Sequence, residues 1–171
     1  KMFRVDHESR EPLDDEVVHR LLDRVRACLP SVDVVCLEDY AKGVCDERVC
    51  QGVIRLCREA AKPVLVDPAK LTDYARYRGA TAITPNRTEA EHATGLRTHG
   101  EGSADHNTLL ATRLLHDVNL DAVVLTLDRH GALLLCRGGS PLAVPTVARK
   151  VYDVTGAGDM MLAALAAARA N

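Results

Sequence analysis

Two short stretches of the chain hold the side chains best suited to chemistry. The first is Thr155-Gly156-Ala157-Gly158-Asp159, set directly before an Ala/Leu/Met run that reads as a helix. A glycine inside a helix costs about 1 kcal/mol relative to alanine, so a pair at a helix start points to some demand on the backbone. The first amides of a helix lack intrahelical partners and lie at the positive end of its dipole. Those of Gly156, Ala157 and Gly158 are therefore able to converge on an anion such as a phosphoryl group. Asp159 follows at once, where its carboxylate can take a proton from a hydroxyl beside that anion. An anion cradle next to a base is the minimum equipment for phosphoryl transfer. The same residues equally suit a plain helix start, with Thr155 as cap and Asp159 as a favourable first-turn charge.

The second stretch is Pro85-Asn86-Arg87-Thr88-Glu89. An amide and a carboxylate at i, i+3 share a helix face and suit Mg²⁺ held through its waters. An Asn cap with a Glu three residues later is also an ordinary way to begin a helix. A third segment, Thr126-Leu127-Asp128-Arg129-His130-Gly131, joins a strand to the next element, and by itself is a turn with glycine at a positive φ.

The elements around these stretches alternate. A short strand is expected over Met2 to Asp6, then an amphipathic helix carrying Val17, Val18, Leu21, Leu22, Val25 and Leu29 and ended by Pro30. Val32 to Leu37 reads as a strand buried on both faces of a parallel sheet, followed by the loop 38–43. A helix over Asp46 to Ala61, a strand over Val64 to Val66, a helical turn at Tyr74 to Arg78 and a strand over Thr81 to Thr84 come next. A short helix then runs to Thr94, ended by Gly95. Arg97 to Asp105 reads as a polar loop, His106 to Val118 as a helix, and Ala122 to Thr126 as a strand. Leu133 to Leu135 and Leu142 to Val144 form an antiparallel edge around Gly138-Gly139-Ser140-Pro141. This order predicts an α/β fold with a mostly parallel sheet. Ligands of such sheets sit beyond the carboxyl ends of the strands. The loops after Leu37, Val66, Thr84 and Thr126 and the turn into the 156–159 helix fall on that edge, so one crevice is expected.

Composition narrows the possibilities. Lys+Arg 22 against Asp+Glu 24 gives a formal charge of -2 and no basic field for nucleic acid or an anionic membrane. No run approaches the roughly 18 apolar residues of a membrane helix, and the opening residues do not resemble a signal peptide. Cys28, Cys36, Cys45, Cys50, Cys57 and Cys136 form no C-x-x-C pair and are expected to be reduced core residues of a cytoplasmic protein. The histidines show no metal-binding spacing. A dinucleotide-binding oxidoreductase is disfavoured, because no G-x-G-x-x-G follows the first strand. The chain opens in what reads as a mid-domain strand and stops within or just after the final helix, so a fragment of a longer protein is expected.

Asp153-Val154-Thr155-Gly156-Ala157-Gly158-Asp159 resembles the C-terminal signature of the ribokinase-like (PfkB) carbohydrate kinases. Pro85-Asn86-x-x-Glu89 resembles their second signature, in the same order along the chain. The resemblance implies a ribokinase-like α/β fold with helices on both faces of the sheet. Residues 1–171 would form a single partial kinase domain, without the family's N-terminal lid region and C-terminal end. It implies ATP as co-substrate, and Mg²⁺ organised through water by Asn86 and Glu89. Residues 156–158 would be the anion hole and Asp159 the catalytic base, with Asp153 shaping the site. Thr126, Gly131 and Asn86 would contact nucleotide.

The segments Asp39-Tyr40-Ala41-Lys42-Gly43, Asp67-Pro68-Ala69-Lys70 and Tyr74-Ala75-Arg76-Tyr77-Arg78-Gly79-Ala80-Thr81 are similar to the heptose 7-phosphate kinase branch of that family, which serves ADP-heptose and hence lipopolysaccharide synthesis. That likeness implies D-glycero-D-manno-heptose 7-phosphate as substrate, phosphorylated at its anomeric hydroxyl. It also implies a homodimer and a nucleotidyltransferase, fused or separate. Lys42, Lys70 and Arg4 are the cations best placed to meet sugar phosphate; singly, each is as readily a solvated surface charge. The chain departs from the pattern by an extra residue before Lys70 and by Met160, where a small residue or Thr is usual. The rival readings are a kinase for another sugar or a nucleoside, and a non-catalytic nucleotide-binding relative.

Overall fold

Alternate residues of the central strands bury into different layers, as the period of two in a β-strand requires. The structure, a computed structural model, describes residues 5, 11–98, 102–147 and 156–170. Among the described residues the sheet has six strands in chain order: β1 (Val35–Glu38), β2 (Val64–Asp67), β3 (Ala82–Ile83), β4 (Ala122–Thr126), β5 (Ala132–Cys136) and β6 (Leu142–Val144). β1 to β4 run parallel, and β5 and β6 close the sheet as an antiparallel hairpin. The helices are α1 (Asp15–Cys28), α2 (Glu47–Glu59), α3 (Arg87–Thr94), α4 (Ala104–Asp117) and α5 (Ala157–Ala170).

One face of the sheet presents Val64, Val66, Ile83, Val123, Leu125, Leu133 and Leu135 to α2 and α4. Val49, Val53, Ile54 and Leu56 of α2 and Leu110, Leu114 and Leu115 of α4 fill that layer. Each such side chain is worth roughly 1.5–3 kcal/mol when fully buried. The other face presents Leu65, Ala82 and Ala122 to Leu162, Leu165 and Ala166 of α5. Helices thus cover both faces, and the sheet is mostly parallel, as expected.

Local signals set the boundaries. The Asp46 side chain accepts from Val49 N at 2.9 Å and starts α2, and Ser103 accepts from His106 N at 3.1 Å and starts α4. Gly95, at φ 73°, ends α3 in the left-handed region. Because Ser103 caps, α4 begins inside the stretch expected to be loop. β1 also differs from expectation. It starts at Val35, and Cys36 and Glu38 are exposed, so it is not buried on both faces. The α5 layer packs on Val34, Leu65 and Ala82 and does not bury Cys36 or Glu38 of β1. Of the cysteines, Cys50 and Cys57 are buried and Cys45 is half-buried, while Cys28, Cys36 and Cys136 are exposed; all six are free thiols. Three of them are therefore not core residues. The strand expected at Met2 to Asp6 lies outside the described residues except for Val5.

Candidate active site

The carboxyl edge of the sheet is built on one buried carboxylate. Asp39, just past β1, accepts the Tyr77 hydroxyl at 2.6 Å on Oδ2 and the Ala41 amide at 2.7 Å on Oδ1. Arg76 Nη1 lies 3.3 Å from Asp39 Oδ2 and donates to the Cys45 carbonyl at 2.8 Å. The Asp39 amide itself donates to the Asp67 carbonyl at 3.0 Å. A buried charge persists only with such partners, and these tie both ends of the 39–45 loop to the core. Burial and the bond to Asp39 push the Tyr77 phenol up. Tyr40 and Lys42 are carried on this loop and are exposed.

Asp159 stands in the first turn of α5, and the Tyr40 hydroxyl donates to its Oδ1 at 3.1 Å. Glu38 Oε2 is the more distant acceptor, at 3.5 Å. The bond to Asp159, more than burial, pushes the Tyr40 phenol up. Beneath them Asp67 closes β2 and accepts the Thr84 hydroxyl at 2.9 Å. Its carboxyl is raised chiefly by burial, and further by the negative charges of Asp159 and Glu38.

The two glycines of the turn answer different demands. Gly156 has φ +79°, a conformation L side chains rarely adopt. At Gly158 an added Cβ would fall 3.0 Å from Asp67 Oδ2, so this glycine lets α5 close on β2. A Cβ on Gly156 would meet only Asp159 Oδ2, at 3.8 Å, so that oxygen lies beside the turn. The first helical bond runs from Met160 N to Gly156 O at 3.0 Å, leaving the amides of residues 157–159 at the open end of the helix. Met160 is 70% exposed, and this departure from the usual small residue packs against little.

Asn86 and Glu89 form a complete capping box. Asn86 Oδ1 accepts from Glu89 N at 2.9 Å, and Glu89 Oε2 accepts from Asn86 N at 2.8 Å. Burial raises the Glu89 carboxyl, against the lowering bond from the Asn86 backbone; Asp67 raises it and Lys70 lowers it. A cation near this pair would relieve the same charge. Among the described residues no group of three or more His, Cys, Asp or Glu is arranged to hold a metal ion. An Asn and a Glu are few ligands, as suits Mg²⁺, which usually keeps several of its waters.

Thr126 lies beside this box. It bridges to Asn86, and its amide donates to the Pro85 carbonyl at 2.9 Å. Gly131 ends the turn at φ +91°, where a Cβ would sit 2.0 Å from the Val144 carbonyl oxygen. The β5–β6 hairpin alone therefore demands glycine there.

Asn86, Glu89, Thr126, Asp159 and the 156–158 turn thus share the carboxyl edge. Lys70, exposed, is close enough to Glu89 to favour its ionised form, and Lys42 is exposed two residues past Tyr40. Arg4 and Asp153 lie outside the described residues, as does the proposed Thr155 cap. Sequence reasoning gave no chemical role to Tyr40, Glu38, Asp67 or Thr84. Their signal was position, since each stands at or just after the carboxyl end of a strand. Two surface hollows, at Pro12–Asp15 with Asp46–Arg48 and along Val17–Arg24, lie apart from this edge. In the first, Arg48 pairs with both Asp15 and Asp46.

Residues 10–171 match the pfkB family carbohydrate kinases. Bifunctional protein HldE of Pelobacter propionicus is 44% identical over 172 residues, which cover 99% of this chain and 34% of that protein. Its counterpart in Geobacter sulfurreducens is 41% identical over 171 residues, 100% of this chain and 34% of that protein. The chain therefore spans about a third of the length of these relatives. Among solved structures, Arabidopsis thaliana ribokinase complexed with ribose and ATP superposes with a TM-score of 0.71 at 23% identity, over 94% of this chain and 47% of that one. Phosphofructokinase-2 from Escherichia coli in complex with potassium gives 0.74 at 19% identity, over 93% and 50%. Both likenesses are of fold.

Proposed function

This chain belongs to the pfkB family of carbohydrate kinases, and from that premise we propose that its protein phosphorylates the anomeric hydroxyl of D-glycero-D-manno-heptose 7-phosphate with ATP. The observation that carries the reading is Asp159, at the open end of α5 with Oδ2 beside the Gly156 turn. Asp159 takes the proton of the sugar hydroxyl as its oxygen attacks the γ-phosphorus in line, and ADP departs. A positioned base contributes about 10²–10⁴-fold to such a step. The amides of residues 156–158 face the transferring phosphoryl, where one well-aimed donor is worth roughly 10²–10³-fold. When bound, Mg²⁺ would neutralise charge on the ATP phosphates, held through water by Asn86 and Glu89. Thr126 and Gly131 border the nucleotide. Lys42, Lys70 and Arg4 meet the sugar's phosphate, and Asp153 shapes the pocket.

The heptose assignment rests on the likeness of segments 39–43, 67–70 and 74–81 to the heptose 7-phosphate kinase branch. The name "bifunctional" borne by the relatives supports a second activity in the full-length protein, and we take its partner unit, fused or separate, to be a nucleotidyltransferase. We take the enzyme to be a cytoplasmic homodimer. Among the described residues no helix is long and apolar enough to cross a membrane.

The test is ATP consumption by the full-length protein with heptose 7-phosphate and a panel of other sugars, sugar phosphates and nucleosides. Fastest turnover on the heptose phosphate is expected. Preference for another acceptor would overturn the substrate and keep the chemistry. ATP binding without transfer to any acceptor would favour a non-catalytic relative.

A further inference from the structure

An exposed aspartate in the first turn of a helix is free to rotate about two torsions, and a base is useful only while one oxygen faces the proton it must take. We propose that Tyr40 is a positioning residue for Asp159, its hydroxyl pinning Oδ1 so that Oδ2 stays at the Gly156 turn. This inference rests on the reading of Asp159 as the base. The Tyr40 hydroxyl donates to Oδ1 at 3.1 Å, across 119 residues of sequence. The loop that carries it is held by the buried Asp39, through the Ala41 amide, the Tyr77 hydroxyl and Arg76. The phenol is therefore delivered from a braced support. Oδ2, on the other side of the same carboxylate, lies 3.8 Å from where a Gly156 Cβ would be. Glu38 Oε2, at 3.5 Å, is a weaker competitor for the same proton. Removal of the hydroxyl leaves Asp159 in place with its productive rotamer no longer enforced.

The experiment is Tyr40→Phe in the full-length protein, alone and combined with Asp159→Asn. Tyr40 is 60% exposed, so the melting temperature should not change, and a thermal melt checks this. We expect kcat to fall about tenfold, with KM for ATP and for the sugar phosphate within about twofold of wild type. In the Asp159→Asn background the same change should have no further effect, because there is no base left to orient. Unchanged kcat in Tyr40→Phe overturns the proposal. An equal loss in both backgrounds also overturns it, since a merely structural role would act in both. Wild-type turnover by Asp159→Asn alone would overturn the base assignment, and this proposal with it.

Discussion

Asp67 places a second carboxylate beneath the proposed base, and the fold disfavours its charge. Burial raises its carboxyl, and Asp159 and Glu38 raise it further, while the Thr84 hydroxyl opposes them. A carboxyl raised in the folded state holds its proton there at pH values where the unfolded chain has released it. The stability linked to this group is thus full below about pH 4, the ordinary carboxylate range, and is lost as pH rises through the higher folded value. Asp67→Asn cannot ionise, and its amide oxygen can still accept from Thr84. Calorimetry should find the variant melting above wild type at pH 7, with the gap closing as pH falls to about 4. A lower melting temperature at pH 7 would refute the sign. The Gly156-to-Asp159 turn was legible in the sequence because its parts are contiguous. Tyr40 was not, since its role depends on a contact with a residue 119 positions away. Nor was Asp39, whose burial is decided by Tyr77 and Arg76 from beyond β2.

Among the elements, α3 carries two readings on the same residues. The capping box is fully formed, and it uses Asn86 Oδ1 and Glu89 Oε2. Capping therefore explains the pair without any ligand, and a metal role must be read from a variant that separates the two. Asn86→Ser keeps an accepting oxygen at the cap, whereas Asn86→Ala removes it at a cost of about 1 kcal/mol. If Asn86 also organises Mg²⁺ and phosphate, the Ser variant keeps its melting temperature but shows a raised KM for Mg·ATP, by about tenfold. Wild-type kinetics in that variant would reduce Asn86 to a cap. Gly131 is similar in kind, because its glycine is already required by the Val144 carbonyl whatever the nucleotide does. Helical and strand periodicity gave α2 and β2 nearly to the residue. It did not give the exposure of Cys28, Cys36 and Cys136, because cysteine suits core and surface alike.

At the scale of the molecule, the parallel sheet turns distant segments into neighbours. Glu38, Tyr40, Asp67, Thr84, Asn86, Thr126 and Asp159 all lie at or just past strand ends or helix starts on one edge, as the parallel order of β1 to β4 dictates. The alternation of strands and helices made that edge predictable from the sequence. The partial cover that α5 gives β1 was not predictable, since it depends on how far a helix of small residues reaches across the sheet. That edge then carries the proposed base, a glycine-shaped helix end and a capped Asn/Glu pair. The most direct test is single-turnover phosphoryl transfer by full-length Asp159→Asn, with ATP affinity measured on the same protein. The transfer rate should fall about 10²–10⁴-fold, with the ATP dissociation constant within about twofold of wild type. A rate within about tenfold of wild type would contradict the assignment of Asp159 as the base, and with it the proposed mechanism.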